Sequence, residues 1–210
     1  MIFSFELRWF YTDRIPEPVE EWFRTGLGFA NSLPLNPELP REDYYLPIEA
    51  SDSLGIKLSR NRLELKGRRQ DSKHFYGDNG ISGIAEYWTR WEWNDNNPAL
   101  GLEALLNRFN WIKVNKSRLQ RKYMILVEGL SEIPNTRVDA ECAIEITGLE
   151  LHGHPWWSLG LDSYSDYEQG YKNLSIAANQ LLSNFPMAKP KKDHSYGYPN
   201  WILKNNISLY

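Results

Sequence analysis

Apolar and polar residues alternate with a period of two along much of this 210-residue chain. Near the start, Phe3, Phe5, Leu7 and Trp9 oppose Ser4, Glu6 and Arg8. Further on, Ala85, Tyr87, Thr89, Trp91 and Trp93 oppose Glu86, Trp88, Arg90 and Glu92. Val138, Ala140, Cys142, Ile144 and Ile146 oppose Arg137, Asp139, Glu141, Ala143, Glu145 and Thr147. Leu159 and Leu161 are set against Ser158, Gly160, Asp162 and Tyr164. Each pattern predicts a strand with one apolar and one polar face. Residues 54–68 carry two such runs: Leu54, Ile56 and Leu58 alternate with Gly55, Lys57 and Ser59, and beyond Arg60-Asn61, Leu63 and Leu65 alternate with Arg62, Glu64, Lys66 and Arg68. That is a β-hairpin with one charged face. Residues 111–129 read as one long strand or two, with Lys113 and Lys116 unable to share a face without a bulge. Short connections make the roughly seven or eight strands mostly antiparallel.

A period near 3.6 is rarer. Over 17–27 it places Val19, Trp22, Phe23 and Leu27 on one face, and over 168–185 it places Tyr171, Leu174, Ala177, Ala178, Leu181 and Phe185 on one face. A shorter helix is expected within 99–109. Pro34, Pro37 and Pro40 mark one irregular loop and residues 185–200 another, with Trp201 and Ile202 pinning the tail to the body. No repeat and no linker divides the chain, so one domain over 1–210 is expected.

These two classes of element constrain each other. Amphipathic helices need an apolar sheet face to cover, so the apolar sides of the strands should face outward. The expected fold is therefore mainly β (α+β): an antiparallel barrel, closed or nearly closed, with helices on its outside and charged faces lining a tunnel. The competing reading leaves each charged face in solvent.

Charge sharpens the choice. Acids outnumber bases 27 to 24, which argues against a general nucleic-acid binder. Yet residues 55–69 hold six cations (Lys57, Arg60, Arg62, Lys66, Arg68 and Arg69) against one acid, Glu64. No run matches a membrane span or signal peptide, and a single cysteine, Cys142, fits a reducing compartment. The expectation is a cytoplasmic protein without membrane or nucleic-acid partners. Bases and acids interleaved in one confined space suit a polyanion held with a divalent metal. Other signals are bland: His152-Gly153-His154 reads as a surface turn, Cys142 as a buried thiol, Lys189 to Lys192 as a solvated loop, and no P-loop is present.

The order of elements and several motifs resemble the CYTH superfamily, the triphosphate tunnel metalloenzymes that include class IV adenylate cyclases, thiamine triphosphatases and inorganic tripolyphosphatases. Ser4-x-Glu6-x-Arg8 stands where that family has E-x-E-x-K. Asp43 and Tyr45 match its D-x-Y strand, Lys57 and Lys66 its basic hairpin, and Lys116 and Arg118 a later basic strand. Asp162 stands for the first acid of the C-terminal E-x-E, with Tyr164 replacing the second. The similarity covers most of residues 2–165.

The resemblance implies phosphate binding by Arg8, Lys57, Lys66, Arg68, Arg90, Lys116 and Arg118. It implies Mg²⁺ or Mn²⁺ held by Glu6, Glu145 and Asp162, with a small phosphorylated anion as ligand. One carboxylate is missing from each family pair, which weakens the metal expectation because a hard dication wants several oxygen ligands. Two functions follow: a metal-dependent triphosphatase-type phosphohydrolase, or a non-catalytic relative that binds a phosphorylated or acidic ligand or a protein partner.

Overall fold

A computed structural model describes residues 1–29, 32–35, 37–49, 51–60, 62–94 and 102–205. In chain order the elements are β1 (Ile2–Thr12), α1 (Glu17–Arg24), β2 (Arg41–Leu46), β3 (Leu54–Ser59), β4 (Arg62–Arg68), β5 (Lys73–Tyr76) and β6 (Ser82–Asn94). They continue with α2 (Leu102–Leu106), β7 (Ile112–Leu126), β8 (Gly129–Ile133), β9 (Cys142–Leu151), β10 (His154–Ser163), α3 (Tyr167–Leu181) and α4 (Tyr198–Asn205). Eight strands close a barrel in the order β1-β10-β9-β7-β2-β3-β4-β6, and β6 returns to β1. Every pairing is antiparallel; β5 and β8 attach to β6 and β7 beyond the ring. Closure gives each of the eight ring strands a neighbour on both sides over part of its length.

Tight turns set the register of the hairpins. His152 (φ 52°) and Gly153 (φ 80°) both take left-handed conformations between β9 and β10, the two-residue turn that matches strand twist. Arg60 (φ 51°) turns β3 into β4; the adjacent Asn61 lies outside the described residues, as do 95–101 at the start of the expected short helix.

The barrel is apolar outside and charged within, as the two periodicities require together. Outward Phe5, Leu7, Trp9, Ala85, Leu119, Ile144, Ile146, Leu159 and Leu161 pack with Val19, Trp22 and Phe23 of α1 and with Leu174, Ala177, Ala178 and Leu181 of α3 in one buried cluster. The Asp166 carboxylate accepts from Gln169 N at 3.0 Å and caps α3. Cys142 is fully buried in the same layer. Lys113 and Lys116 fall on opposite faces of one continuous β7, so no bulge is needed.

The C-terminal segment departs from the expected loop. β1 and β6 pair only as far as Leu7 and Ala85, and residues 190–196 wedge into the gap beyond. Ser82 N donates to Pro190 O, Ile84 N to Ser195 Oγ, and Tyr196 N to Arg8 O. Lys189 and Lys191 are not free in solvent: they donate to the carbonyls of Leu182 and Ser183, and of Gly80. The chain then enters the barrel. Trp201 and Ile202 of α4 are buried with inward-facing Phe10, Tyr45, Ile112, Val114, Leu149 and Leu151. This apolar plug closes one end of the lumen. Among the described residues no helix is long and apolar enough to cross a membrane.

Candidate functional site

The inner strand faces change character along the barrel axis. Phe10 gives way to Arg8 and Glu6 on β1, Val114 to Lys116 and Arg118 on β7, and Leu149 to Thr147 and Glu145 on β9. Beyond the plug lies a cavity of about 130 Å³, room for about four waters or one compact anion. Its wall carries seven basic side chains (Arg8, Arg41, Lys57, Lys66, Arg90, Lys116 and Arg118) and four acidic ones (Glu6, Glu64, Glu145 and Asp162). Every site residue predicted from sequence is there except Arg68.

Arg68 shares the parity of Lys66 but sits beyond the cavity. Its guanidinium is taken by Glu86 at 2.8 Å and Asp52 at 2.8 Å. Alternation tells which face a side chain joins and not how far along the axis it lies.

The cations are held by a network of acids. Glu145 joins Arg8 (2.6 Å) to Arg118 (3.1 Å), and the far side of Arg118 meets Glu38. Lys66 binds Glu6 at 2.5 Å, and Lys57 binds Glu64 at 3.1 Å. Lys116 donates to Tyr45 Oη at 2.5 Å, lies 3.2 Å from Asp43, and sits 3.7 Å from the ring centre of Tyr198. The Arg8 guanidinium also faces that ring, at 5.0 Å. Gly160 makes room for it, because a Cβ there would fall 2.5 Å from an Arg8 nitrogen.

Burial and neighbours set the charge states. For Glu145, burial works against the charge, but Arg8 and Arg118 outweigh it and hold the carboxyl well below its usual range. Burial opposes the charge of Glu6 too, and Lys66 and Arg8 more than offset it. Lys66 is raised because Glu6 and Glu64 overcome burial. Glu64 is held at about 2 against burial by Lys57, Lys66 and Arg90. Its partner Lys57 is nevertheless lowered, by burial first and by nearby Lys116 and Lys66, so the pair is governed by Glu64 facing three cations. Burial pulls Lys116 down to about 8 despite Asp43. Burial and the like charge of Glu6 push Asp162 up to about 7, and burial pushes Glu86 to about 7 despite Arg68.

These side chains do not fit a divalent metal as placed. Glu145 has each of its two oxygens on a guanidinium, and Glu6 takes the Lys66 ammonium and the Ser4 hydroxyl on one oxygen, Oε1. Among the described residues no group of three or more His, Cys, Asp or Glu gathers as a metal site would need.

Arg41, Thr147 and Tyr198 are among the wall residues left without a role in the sequence. Arg41 opens β2 and pairs with Asp43 at 3.1 Å and Glu38 at 2.6 Å. Thr147 was legible as polar-face, without a role. Tyr198 enters from the C-terminal segment, which carries no periodic signal.

Neither a protein-family model nor a curated protein matches the chain. Among solved structures, the PH1819 protein from Pyrococcus horikoshii OT3 is similar over 96% of this chain and 98% of its own, with 16% sequence identity and a TM-score of 0.48.

Proposed function

We propose that the charged half of the lumen binds a small, multiply charged phosphorylated anion, the class of ligand implied by the CYTH resemblance. One observation carries this reading: seven basic side chains against four acidic ones on the wall of a cavity closed at one end. Confined like charges repel, and burial raises the cost of each, so an anion that enters is stabilised by charge-assisted hydrogen bonds from several sides. Binding without turnover is favoured over hydrolysis, because Glu145 and Glu6 are engaged by cations and no group of three or more ligating residues gathers among the described residues.

Thermal melting with added tripolyphosphate tests this. A ligand at a hundred times its Kd raises the melting temperature by about 5 °C for a chain of this length. Lys66→Ala should lose most of that gain. No shift in wild type at millimolar tripolyphosphate would overturn the reading. Phosphate release with added Mg²⁺ that EDTA abolishes would replace it with the hydrolase.

A further inference from the structure

Two cations of the cavity wall meet one aromatic ring, and that ring comes from outside the barrel strands. Arg8 Cζ lies 5.0 Å and Lys116 Nζ 3.7 Å from the ring centre of Tyr198, the first residue of α4. All three side chains line the cavity. The plug fixes the ring from its apolar side. Tyr45 stacks on it at 5.5 Å between ring centres, and Phe10 and Trp201 meet it edge-on at 5.2 and 5.9 Å. The chain leading to it is anchored by Tyr196 N, which donates to Arg8 O at 3.2 Å. A ring face attracts a desolvated cation without carrying a charge of its own. Burial raises the Tyr198 phenol above its usual range, so the ring stays neutral. A carboxylate in its place would hold the same two cations and cancel the charge that an anion needs.

Resting on the proposed anion site, we infer that Tyr198 is a positioning residue of that site, whose ring holds Arg8 and Lys116 at the cavity wall without neutralising them. The charge of Lys116 reports on this. Burial brings its ammonium down to about 8. Asp43 on β2 and Glu145 on β9 support the charge, while Arg41 on β2 and Arg8 on β1 oppose it. Lys57 on β3 is a further cation within its field, Arg118 stands two residues along the same face of β7, and Tyr45 Oη accepts a hydrogen bond from it. With the ring removed, burial meets less opposition and the proton leaves at lower pH.

The test is titration calorimetry with tripolyphosphate between about pH 6 and pH 10, on wild type, Tyr198→Phe, Tyr198→Leu, Tyr198→Met and Lys116→Met. Each affinity is divided by that of Lys116→Met at the same pH, so that the ligand's own protonation cancels. For wild type this ratio should be about tenfold at the acid end and near one at the alkaline end. Its fall should begin as pH passes about 8. Tyr198→Phe keeps the ring and should reproduce that curve. Tyr198→Leu and Tyr198→Met should begin the fall about one pH unit lower; the methionine variant fills more of the ring's volume and serves where the leucine variant does not fold. Curves for these two that overlie wild type would overturn this inference and leave the anion site standing. A Tyr198→Phe curve shifted as far as theirs would overturn it too, because the hydroxyl and not the ring would then be the support. So would a wild-type ratio of one at every pH, since Lys116 would then give the anion nothing. Tripolyphosphate that binds none of the five proteins would remove the site and this inference with it.

Discussion

On β7, Ile112 and Val114 fill the lumen with hydrocarbon, while two and four residues beyond Val114 on the same face Lys116 and Arg118 fill it with charge. β1 makes the same change from Phe10 to Arg8, and β9 from Leu149 to Thr147. The apolar half is packed shut by α4, whose Trp201 stacks on Phe10 with ring centres 5.0 Å apart. Its stability is intrinsic, since burial of hydrocarbon is favourable without a partner. The charged half is stable only as far as each charge finds an opposite one, and it keeps an open cavity. One interior therefore joins a region that excludes guests to one that gains from them.

The largest expected effect tests the packed half. Trp201→Ala removes a fully buried indole and should cost about 4 kcal/mol, a fall in melting temperature on the order of 10 °C. Tripolyphosphate should not rescue this loss beyond the shift it gives wild type. A fall of less than a few degrees would mean that α4 does not plug the barrel.

The charged half should respond in the opposite way to a ligand. Glu145→Gln strands the buried guanidinium of Arg8 and half of the pairing of Arg118, at a cost of about 3 kcal/mol. The freed donors should bind anions more tightly, so tripolyphosphate should stabilise this variant by more degrees than wild type. Equal destabilisation with no added rescue would make the network purely structural.

Much of this contrast was legible in the chain. The parity of Glu6, Arg8, Lys57, Lys66, Arg90, Glu145 and Asp162 placed all of them on inner faces, because amphipathic α1 and α3 claim the outer ones; Lys116 and Arg118 came from the CYTH resemblance, since alternation over 111–129 left the face open. The division of the lumen was partly hidden. Alternation fixes the face and is silent on height along the axis, so Arg68 was grouped with Lys66 although it meets Glu86 and Asp52. The plug was hidden for a different reason. Residues 190–198 carry no repeat, and their place depends on β1 and β6 separating beyond Leu7 and Ala85, a property of barrel closure rather than of any local stretch. The three acids named for a metal do not gather as a ligand group among the described residues, and charge type alone does not tell whether a carboxylate faces a cation.

A smaller effect concerns protons. Asp162 is raised from 3.8 to about 7, chiefly by burial and then by Glu6. Its folded form holds a proton more strongly than its unfolded form, so the stability it contributes is full below about pH 4 and is lost as pH rises to 7. Asp162→Asn cannot lose that proton. Relative to wild type it should gain stability across this window, on the order of 2 kcal/mol with water in the cavity screening the charges. Denaturant melts at pH 4.5 and 7.5 measure the difference. A constant gap between the two proteins would show that Asp162 ionises normally.

The smallest effect comes from the outer face of β7. Lys113 lies three residues before Lys116 and has an acidic partner of its own, Glu42 at 3.0 Å. Partner for partner the two lysines look alike, but the Lys113 pair is about half exposed and the Lys116 ammonium is buried against Asp43, Tyr45 and Tyr198. Water already solvates an exposed pair, and fixing two long side chains costs entropy that offsets the attraction. Lys113→Ala should therefore leave both the melting temperature and the tripolyphosphate shift unchanged within error. If it instead removes the shift, the anion binds on the outer surface of the barrel, and the division between the two halves of the lumen says nothing about function.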